Sequence, residues 1–231
     1  TAPSIALSAF QALSLDNDPI LLVLASDHLL TANENFYKAL SNSFNLANQG
    51  RLVTFGIKPT SPNTGFGYIE SSDVSDFENL GAFDINKFIE KPDLTTAKKL
   101  FLDKRYFWNS GIFVFKAKTI INEMRKFCPE IMKYCEESIK SCRNDFDFKR
   151  IDEEIFSKCP SIPIDIAVME KTKLGSIVPL NINWNDIGNW KSLWEYESKN
   201  EAGNFVKGKV FLNNVQDSLF CSDNDQLLVG I

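Results

Sequence analysis

A continuous run of apolar residues at positions 20–25 constrains the fold of this chain more than any other feature of the sequence. The run has the length of a strand, and turn-forming residues bound it, with Pro19 before it and Asp27 after it. A strand without polar alternation is typical of a parallel sheet that is covered on both faces. Helical periodicity precedes the run at residues 4–15 and follows it at residues 31–47, so the sequence predicts an α/β fold.

The charge balance and the cysteines exclude several classes of protein. A net charge of −5 supplies no basic stripe for phosphates, so we expect no nucleic-acid partner. The longest apolar run is far shorter than the roughly 20 residues of a membrane-spanning helix, so we expect no membrane partner. Five cysteines without short paired spacings predict a reduced, cytoplasmic protein. Cys128, Cys135 and Cys142 recur every seven residues, which indicates one inward helical face rather than a metal site.

The remaining elements continue the alternation of strands and helices. Strands are predicted at residues 52–57, 83–89, 111–115 and 178–182, and helices at residues 93–103, 120–127, 130–142, 151–157 and 190–197. Asp93 is the predicted N-cap of the helix at residues 93–103. Thr31 and Glu34 form a predicted capping box at the start of the helix at residues 31–47. These elements complete the α/β pattern.

The rhythm changes after Gly203, where short β-like segments follow at residues 205–212 and 219–221. We therefore predict a first domain over residues 1–203 and a β-rich domain that begins at residue 204. Both are expected to be incomplete, because the chain does not start with methionine and stops inside an apolar segment.

Two carboxylates stand where a metal could bind. Asp27 follows the apolar strand, and ligands of open α/β sheets lie beyond the carboxyl ends of strands. Asp186 lies between Trp184 and Trp190 just before a helix. Together they could hold Mg²⁺, which one or two carboxylates plus phosphate oxygens commonly bind. The alternatives are a turn residue for Asp27 and a helix cap for Asp186, while the single histidine, His28, is expected to pack or to form a hydrogen bond.

A second group of residues has the chemistry of a sugar phosphate site. Gly65 and Gly67 let backbone amides approach a ligand closely, although a tight turn explains them equally well. Glu90 and Lys91 at a strand end could hold a sugar hydroxyl and a phosphate, or simply be solvated. Asn109 precedes an apolar strand and is also expected at a strand edge.

These motifs, taken together and in order, resemble the bacterial mannose-1-phosphate guanylyltransferases, which are sugar nucleotidyltransferases. The resemblance covers nearly the whole chain. It is carried by Thr1-Ala2-Pro3, Leu24-Ala25-Ser26-Asp27-His28, Thr54-Phe55-Gly56-Ile57, Thr64-Gly65-Phe66-Gly67-Tyr68-Ile69, Phe88-Ile89-Glu90-Lys91-Pro92, Trp108-Asn109-Ser110-Gly111, Asp165-Ile166-Ala167-Val168-Met169-Glu170-Lys171 and Trp184-Asn185-Asp186-Ile187-Gly188-Asn189-Trp190.

The resemblance implies an enzyme that transfers GMP from GTP to mannose 1-phosphate and gives GDP-mannose and pyrophosphate. It implies an α/β, Rossmann-like (GT-A-like) domain with a mixed sheet flanked by helices and, from residue 204, the start of a left-handed β-helix. By the family pattern, Asp27 and Asp186 hold Mg²⁺, and Lys91 binds the sugar phosphate, so these three are the expected catalytic residues. The other implied contacts are Gly65 and Gly67 along the sugar–nucleotide site, Glu90 and Asn109 at mannose hydroxyls, and Thr1, Ala2 and Pro3 near the guanine.

The sequence departs from the family pattern in places. Phe66 and Ile166 stand where tyrosine is usual, and the amino-terminal glycine-rich signature that grips the triphosphate is absent, so this chain by itself is expected to be inactive. Many relatives also carry a C-terminal mannose-6-phosphate isomerase domain, and residues 1–231 contain none of it. A homodimer is the expected protein partner. Two rival hypotheses remain open: a sugar-1-phosphate uridylyltransferase, and a regulatory homologue that binds GDP-mannose without making it.

Overall fold

The computed structural model describes residues 1–72, 81–223 and 225–231. These residues form two compact units. The first unit comprises Thr1–Ala25 and Ala32–Ile182, and the second comprises Ser26–Thr31 and Asn183–Ile231.

The helices and strands alternate along the chain, as the α/β pattern predicts. The helices are α1 (Ala2–Leu13), α2 (Glu34–Asn48), α3 (Leu94–Leu102), α4 (Ala117–Phe127), α5 (Pro129–Lys140), α6 (Glu153–Phe156) and α7 (Trp190–Tyr196), with a π-helical turn at Asp165–Met169. The strands are β1 (Ile20–Val23), β2 (His28–Leu30), β3 (Leu52–Ile57), β4 (Tyr68–Ser71), β5 (Phe83–Ile89), β6 (Tyr106–Lys116), β7 (Arg143–Asp145), β8 (Phe148–Arg150), β9 (Gly175–Pro179), β10 (Trp184–Asp186), β11 (Phe205–Lys207), β12 (Val210–Leu212), β13 (Leu219–Cys221) and β14 (Leu228–Gly230).

The first unit is built on a six-stranded mixed sheet in the order β1-β6-β3-β9-β5-β4. Only β3 and β9 run parallel, and the other neighbours pair antiparallel. The long strand β6 organises the sheet, because its first residues also pair with β4 and its later residues pair with β1 and β3. The α/β class with a mixed sheet is therefore confirmed.

Strand β1 differs from its prediction as a buried strand of a parallel sheet. It pairs with β6 alone, and that pairing is antiparallel. Leu22 and Leu24 are partly exposed, so the apolar run is not covered on both faces in the residues described. Hydrophobicity alone predicted the strand, but it did not predict the neighbour or its direction.

Helices pack on both faces of the sheet. On one face, α1, α4, α5 and the π-helical turn share a core with Phe107, Phe113 and Phe115 of β6. On the other face, α2 lies against β3 and β6, where the ring of Phe36 is 6.5 Å from the ring of Phe55. Cys128 and Cys135 are buried as predicted, but the prediction of one shared helical face is wrong, because Cys128 precedes α5 and Cys142 follows it. Cys142 is only half-buried.

The second unit contains two kinds of β pairing. Strands β2 and β10 pair antiparallel, whereas β11 pairs with β13 and β12 pairs with β14 in parallel. Short parallel strands at residues 205–230 agree with the β-rich segment expected there. The left-handed β-helix and the domain boundary at residue 204 stay predictions, since the compact units divide the chain differently. None of the helices described is long and apolar enough to cross a membrane.

Candidate active site

Asn109 is the centre of a polar cluster in the first unit. It lies inside β6 rather than at a strand edge as predicted, because β6 begins three residues earlier at Tyr106. Its backbone N–H donates to the carbonyl oxygen of Gly67 at 2.8 Å. Its side-chain Oδ1 accepts from the N–H of Gly111 at 3.3 Å and lies 2.9 Å from the buried hydroxyl of Thr54. The amide is thereby held from its own strand and from β3.

Glu90 stands beside Gly67 at the end of β5. A β-carbon at position 67 would lie only 2.6 Å from Oε2 of Glu90 and 3.4 Å from the β-carbon of Asn109, so glycine makes room for both side chains. The pKa of Glu90 is raised from 4.5 to about 7, chiefly because the carboxyl is partly buried and also because the carboxylate of Asp165 lies nearby. A carboxyl with a pKa near neutrality is typical of functional sites.

Lys91 follows Glu90 and is the cation of this cluster. Its Nζ lies 3.8 Å from Oε1 of Glu90, and its side chain is 65% exposed whereas that of Glu90 is 15% exposed. The backbone of Lys91 is left-handed, with a φ of 45°. An exposed ammonium group next to a buried carboxyl can receive an anionic group of a ligand.

The loop before β4 is ordered by its own hydrogen bonds. The side chain of Asn63 accepts from the N–H of Gly65 at 2.7 Å, and the hydroxyl of Tyr68 donates to the carbonyl of Asn63 at 3.0 Å. The ring of Phe66 packs edge-on against Trp108 at 5.0 Å. Because only the side chain of Asn63 lies near a β-carbon built at Gly65, the glycine at 65 is less constrained than the one at 67.

The second unit contains the predicted carboxylate pair. In the β2–β10 ladder, Asp186 is opposite His28, and the N–H of Ile187 donates to the carbonyl of Asp27 at 3.0 Å. A β-carbon at Gly188 would lie 2.8 Å from Oδ2 of Asp27 and 3.0 Å from Oδ1 of Asp186, so both carboxylates face this glycine. The ladder therefore brings the two side chains together.

Asp27 lies in the turn that precedes β2, as its alternative reading expected, whereas Asp186 is not the helix cap that was its alternative. The N-cap of α7 is Asn189, whose side chain accepts from the N–H of Ser192, so Asp186 does not cap that helix. Oδ1 of Asp186 accepts a hydrogen bond from the N–H of Gly188 at 2.9 Å. Among residues 1–72, 81–223 and 225–231, no basic side chain forms an ion pair with Asp27 or Asp186. Oxygen ligands of this kind suit a divalent cation.

His28 has the structural role expected of it. Its Nδ1 accepts a hydrogen bond from Nε1 of Trp184 at 3.4 Å, and the two rings meet edge-on at 5.2 Å. This contact anchors the start of β10 to β2. In the part of the chain that the structure describes, no group of three or more histidine, cysteine or acidic residues could hold a metal, so the carboxylate pair is the candidate.

Comparison with known proteins identifies the family of the chain. The family model for nucleotidyl transferases matches residues 1–203. The chain belongs to the nucleotidyl transferase family. Members of this family generally use a divalent metal.

One curated relative and two solved structures illustrate the similarity. The putative mannose-1-phosphate guanylyltransferase of Vibrio cholerae is 42% identical over 97% of this chain and 48% of its own length. The crystal structure of a mannose-6-phosphate isomerase from Helicobacter pylori is 37% identical, with a TM-score of 0.72 over 80% of this chain and 71% of that chain. That of a mannose-1-phosphate geranyltransferase from Thermus thermophilus is 27% identical, with a TM-score of 0.79 over 100% of this chain and 65% of that chain.

The predicted resemblance to mannose-1-phosphate guanylyltransferases is thus confirmed. The chain spans about half the length of the curated relatives it matches.

The first three residues lie at the start of α1. Ala2 is 0% exposed and Pro3 is buried, so their side chains pack inside the unit and only their backbone could approach a nucleotide. The hydroxyl of Thr1 accepts a hydrogen bond from the N–H of Ile164 at 3.0 Å. Contact of Thr1, Ala2 and Pro3 with guanine stays a prediction.

Asp165 is the site residue that the sequence analysis did not assign. Its Oδ1 accepts a hydrogen bond from Nδ2 of Asn109 at 2.9 Å, across 56 residues of chain. The only sequence signal for it was its place at the start of the 165–171 motif. The first unit therefore brings together Gly67, Glu90, Lys91 and Asn109 with Asp165, and the second unit brings together Asp27 and Asp186.

Proposed function

We propose that the protein transfers GMP from GTP to mannose 1-phosphate, giving GDP-mannose and pyrophosphate. The observation that carries the proposal is the cluster of Glu90, Lys91 and Asn109 around Gly67, found in a chain that matches guanylyltransferases along almost its whole length. The relative and both solved structures are named for mannose phosphates, which supports the sugar phosphate as the ligand class.

Each polar side chain of the first unit has one task in this proposal. Glu90 accepts a hydrogen bond from a mannose hydroxyl, and the Nδ2 group of Asn109 donates one. Lys91 receives the phosphate, for which its exposed ammonium group is suited. Gly65 and Gly67 line the sugar–nucleotide site, where the absence of a side chain lets the ligand approach the backbone.

The residues of the second unit fit a magnesium ion. Asp27 and Asp186 offer hard oxygen ligands that face the same glycine, and two carboxylates plus substrate phosphates are a usual environment for Mg²⁺. When bound, the ion would offset the repulsion between two anionic substrates. Asp27 and Asp186 would hold the ion, and the residues of the first unit would orient the sugar. The reaction would then need positioning and charge neutralisation rather than a covalent enzyme intermediate.

The proposal also covers the location and the remaining partners. All five cysteines are free thiols, which supports a cytoplasmic protein. Contact of the Thr1–Pro3 backbone with the guanine and formation of a homodimer belong to the same proposal.

Substrate competition tests the proposed activity directly. The full-length protein should release pyrophosphate from GTP only when mannose 1-phosphate and Mg²⁺ are both present. A higher kcat/KM with UTP and glucose 1-phosphate would establish a uridylyltransferase instead. Tight binding of GDP-mannose without turnover of either substrate pair would establish the regulatory homologue.

The two carboxylates give a second test of the same proposal. Asp27→Asn and Asp186→Asn should each lower kcat by about 10² or more, as expected when a preorganised charge stabiliser is lost. Asp223→Asn is the control, because Asp223 is an exposed acid of the same unit paired only with exposed Lys207. Normal turnover with either of the first two variants would show that the carboxylate does not serve the reaction.

A further inference from the structure

The hydrogen bonds of the Asn109 side chain fix which way its amide points. The oxygen accepts from the backbone of Gly111 and faces the hydroxyl of Thr54, and the nitrogen donates to Asp165. If the amide were rotated by half a turn, its NH₂ group would meet the N–H of Gly111 and its oxygen would meet a carboxylate oxygen. Both contacts are unfavourable, so a single orientation is stable.

One of the two N–H groups of Asn109 is left for a ligand. A primary amide has two N–H donors, and Asp165 accepts one of them at 2.9 Å. Among the residues that the structure describes, no acceptor is found for the other. Since Asn109 lies beside Gly67 and Glu90, this donor and the Glu90 carboxyl offer a donor and an acceptor to the same ligand.

Asp165 is itself held rigidly. It begins the π-helical turn, where its carbonyl accepts the N–H of Glu170 at 2.9 Å, and the N–H of the preceding Ile164 is bonded to the hydroxyl of Thr1 at 3.0 Å. The turn packs against α4 in the core. Such π-turns are rare and are frequently found at functional sites. Burial raises the pKa of Asp165, so keeping this carboxyl here has an energetic cost.

We propose that Asp165 is a positioning residue for sugar recognition, which fixes the Asn109 amide so that its remaining N–H donates to a hydroxyl oxygen of the hexose next to Glu90. This inference rests on the proposed function and adds a residue to the sugar site. The site would recognise two hydroxyl groups of the sugar, one that accepts a hydrogen bond from Asn109 and one that donates a hydrogen bond to Glu90. A sugar lacking one of these hydroxyls would leave a buried group unpaired.

Position and charge can be separated with two conservative variants of the full-length protein. Asp165→Asn keeps an oxygen at the same reach and removes the charge, so KM for mannose 1-phosphate should change by less than about 3-fold. Asp165→Glu keeps the charge and displaces the oxygen by one methylene, so the same KM should rise by about 10-fold or more. KM for GTP should stay within about 2-fold in both. The reverse order of the two variants would show that the charge matters and would overturn the proposal.

A double-mutant cycle tests whether Asp165 acts through Asn109. Asn109→Ala removes the amide, and in that background Asp165→Glu should change KM for mannose 1-phosphate by less than about 2-fold. An undiminished effect there would mean that Asp165 contacts the sugar itself or supports the fold, and the positioning role would be wrong. Asp147→Asn, at an exposed position in the β7–β8 turn, is the matched control.

Failure of the positioning role of Asp165 can be distinguished from failure of the proposed guanylyltransferase activity. If the wild-type protein does not turn over mannose 1-phosphate with GTP, the proposed function fails before any variant is compared. If the wild type is active and Asp165→Glu has a normal KM for the sugar phosphate, only the positioning role fails. A variant that does not fold would be replaced by Thr54→Val, which loosens the same amide from the opposite side and should also raise KM for the sugar phosphate but not for GTP; an unchanged KM there overturns the proposal.

Discussion

Lys91 combines an unusual backbone with an exposed charge. A left-handed conformation is uncommon for a residue with a side chain and costs about 1 to 2 kcal/mol, and here it occurs where β5 ends, with φ at 45°. The rest of the site must compensate this cost. Such a residue is expected where the direction of a side chain matters for binding.

Lys91→Met should therefore act mainly on the sugar phosphate. Removing a cation that grips a phosphate should cost about 2 to 3 kcal/mol of binding, as for a charged hydrogen bond. We expect this as a rise in KM for mannose 1-phosphate with a nearly unchanged KM for GTP. Lys87→Met, at an exposed position of the same strand, is the control. A change of less than a few-fold would identify Lys91 as a solvated charge, and equal loss for both substrates would indicate a structural role.

Glu90 predicts a pH dependence of stability. Its folded pKa of about 7 exceeds the ordinary value of 4.5, first because of burial and then because Asp165 and Glu170 oppose its ionisation more than Lys91 favours it. Between these two values the folded protein binds more protons at this group than the unfolded chain does. The contribution of Glu90 to stability is thus fully present below pH 4.5 and is lost as the pH rises through about 7.

Glu90→Gln removes this titration. The free energy of unfolding of the wild type minus that of the variant, measured in urea at a series of pH values, should decrease from pH 5 to pH 7.5. Titrating groups that do not interact with Glu90 contribute equally to both proteins and cancel in the difference. A constant difference across that range would mean that the pKa of Glu90 is not raised in the folded protein.

Individual site residues were predictable only where a local pattern marks them. Glu90 and Lys91 stand at the end of a clear strand pattern, and Asp27 follows an apolar run, so the sequence could mark all three as candidates. Asp165 has no such mark, because its relation to Asn109 exists only once β6 and the π-helical turn are packed. Contacts across 56 residues depend on the tertiary structure and leave no periodic signal.

Among the elements, the β2–β10 ladder is the one that determines the geometry of the proposed metal site. Gly188→Ala should push Asp27 and Asp186 apart, since its β-carbon would lie within 3.0 Å of an oxygen of each. We expect the Mg²⁺ concentration for half-maximal activity to rise by about 10-fold, equivalent to about 1.4 kcal/mol. High Mg²⁺ should restore much of the activity. A fall in kcat with an unchanged Mg²⁺ dependence would show that Gly188 does not act through the carboxylates.

The start of a helix was predicted best where only one candidate capping residue stands near it. Asp93 caps α3 as expected, because its side chain accepts the N–H of Thr96. The cap of α2 is Asn33, not Thr31, because the Asn33 side chain accepts the N–H of Phe36 and the helix then starts at Glu34. Two polar residues stood within three positions of the helix start, and the sequence alone did not choose correctly between them.

At the scale of the whole molecule, the sheet order was the least predictable property. Alternation and apolar runs indicate which face of a strand is buried, but they do not identify its neighbour. The parallel pair of β3 and β9 and the central position of β6 both join distant parts of the sequence. The fold class was predictable for the opposite reason, since it depends only on the alternation of strands and helices.

The two units carry different parts of the proposed chemistry, which gives a prediction for the molecule as a whole. The residues proposed to bind the sugar phosphate belong to the first unit, and the proposed metal ligands Asp27 and Asp186 belong to the second. Without metal, calorimetry should show that Glu90→Ala weakens binding of mannose 1-phosphate by about 10-fold or more, as expected for a lost charged hydrogen bond. Asp186→Asn should leave this binding within about 2-fold.

Binding of Mn²⁺, followed by electron paramagnetic resonance, should be weakened by Asp186→Asn and unchanged by Glu90→Ala, because only Asp186→Asn removes an oxygen ligand. If Asp186→Asn weakened sugar phosphate binding in the absence of metal, Asp186 would have to support the sugar site as well, and the division of tasks between the two units would be wrong.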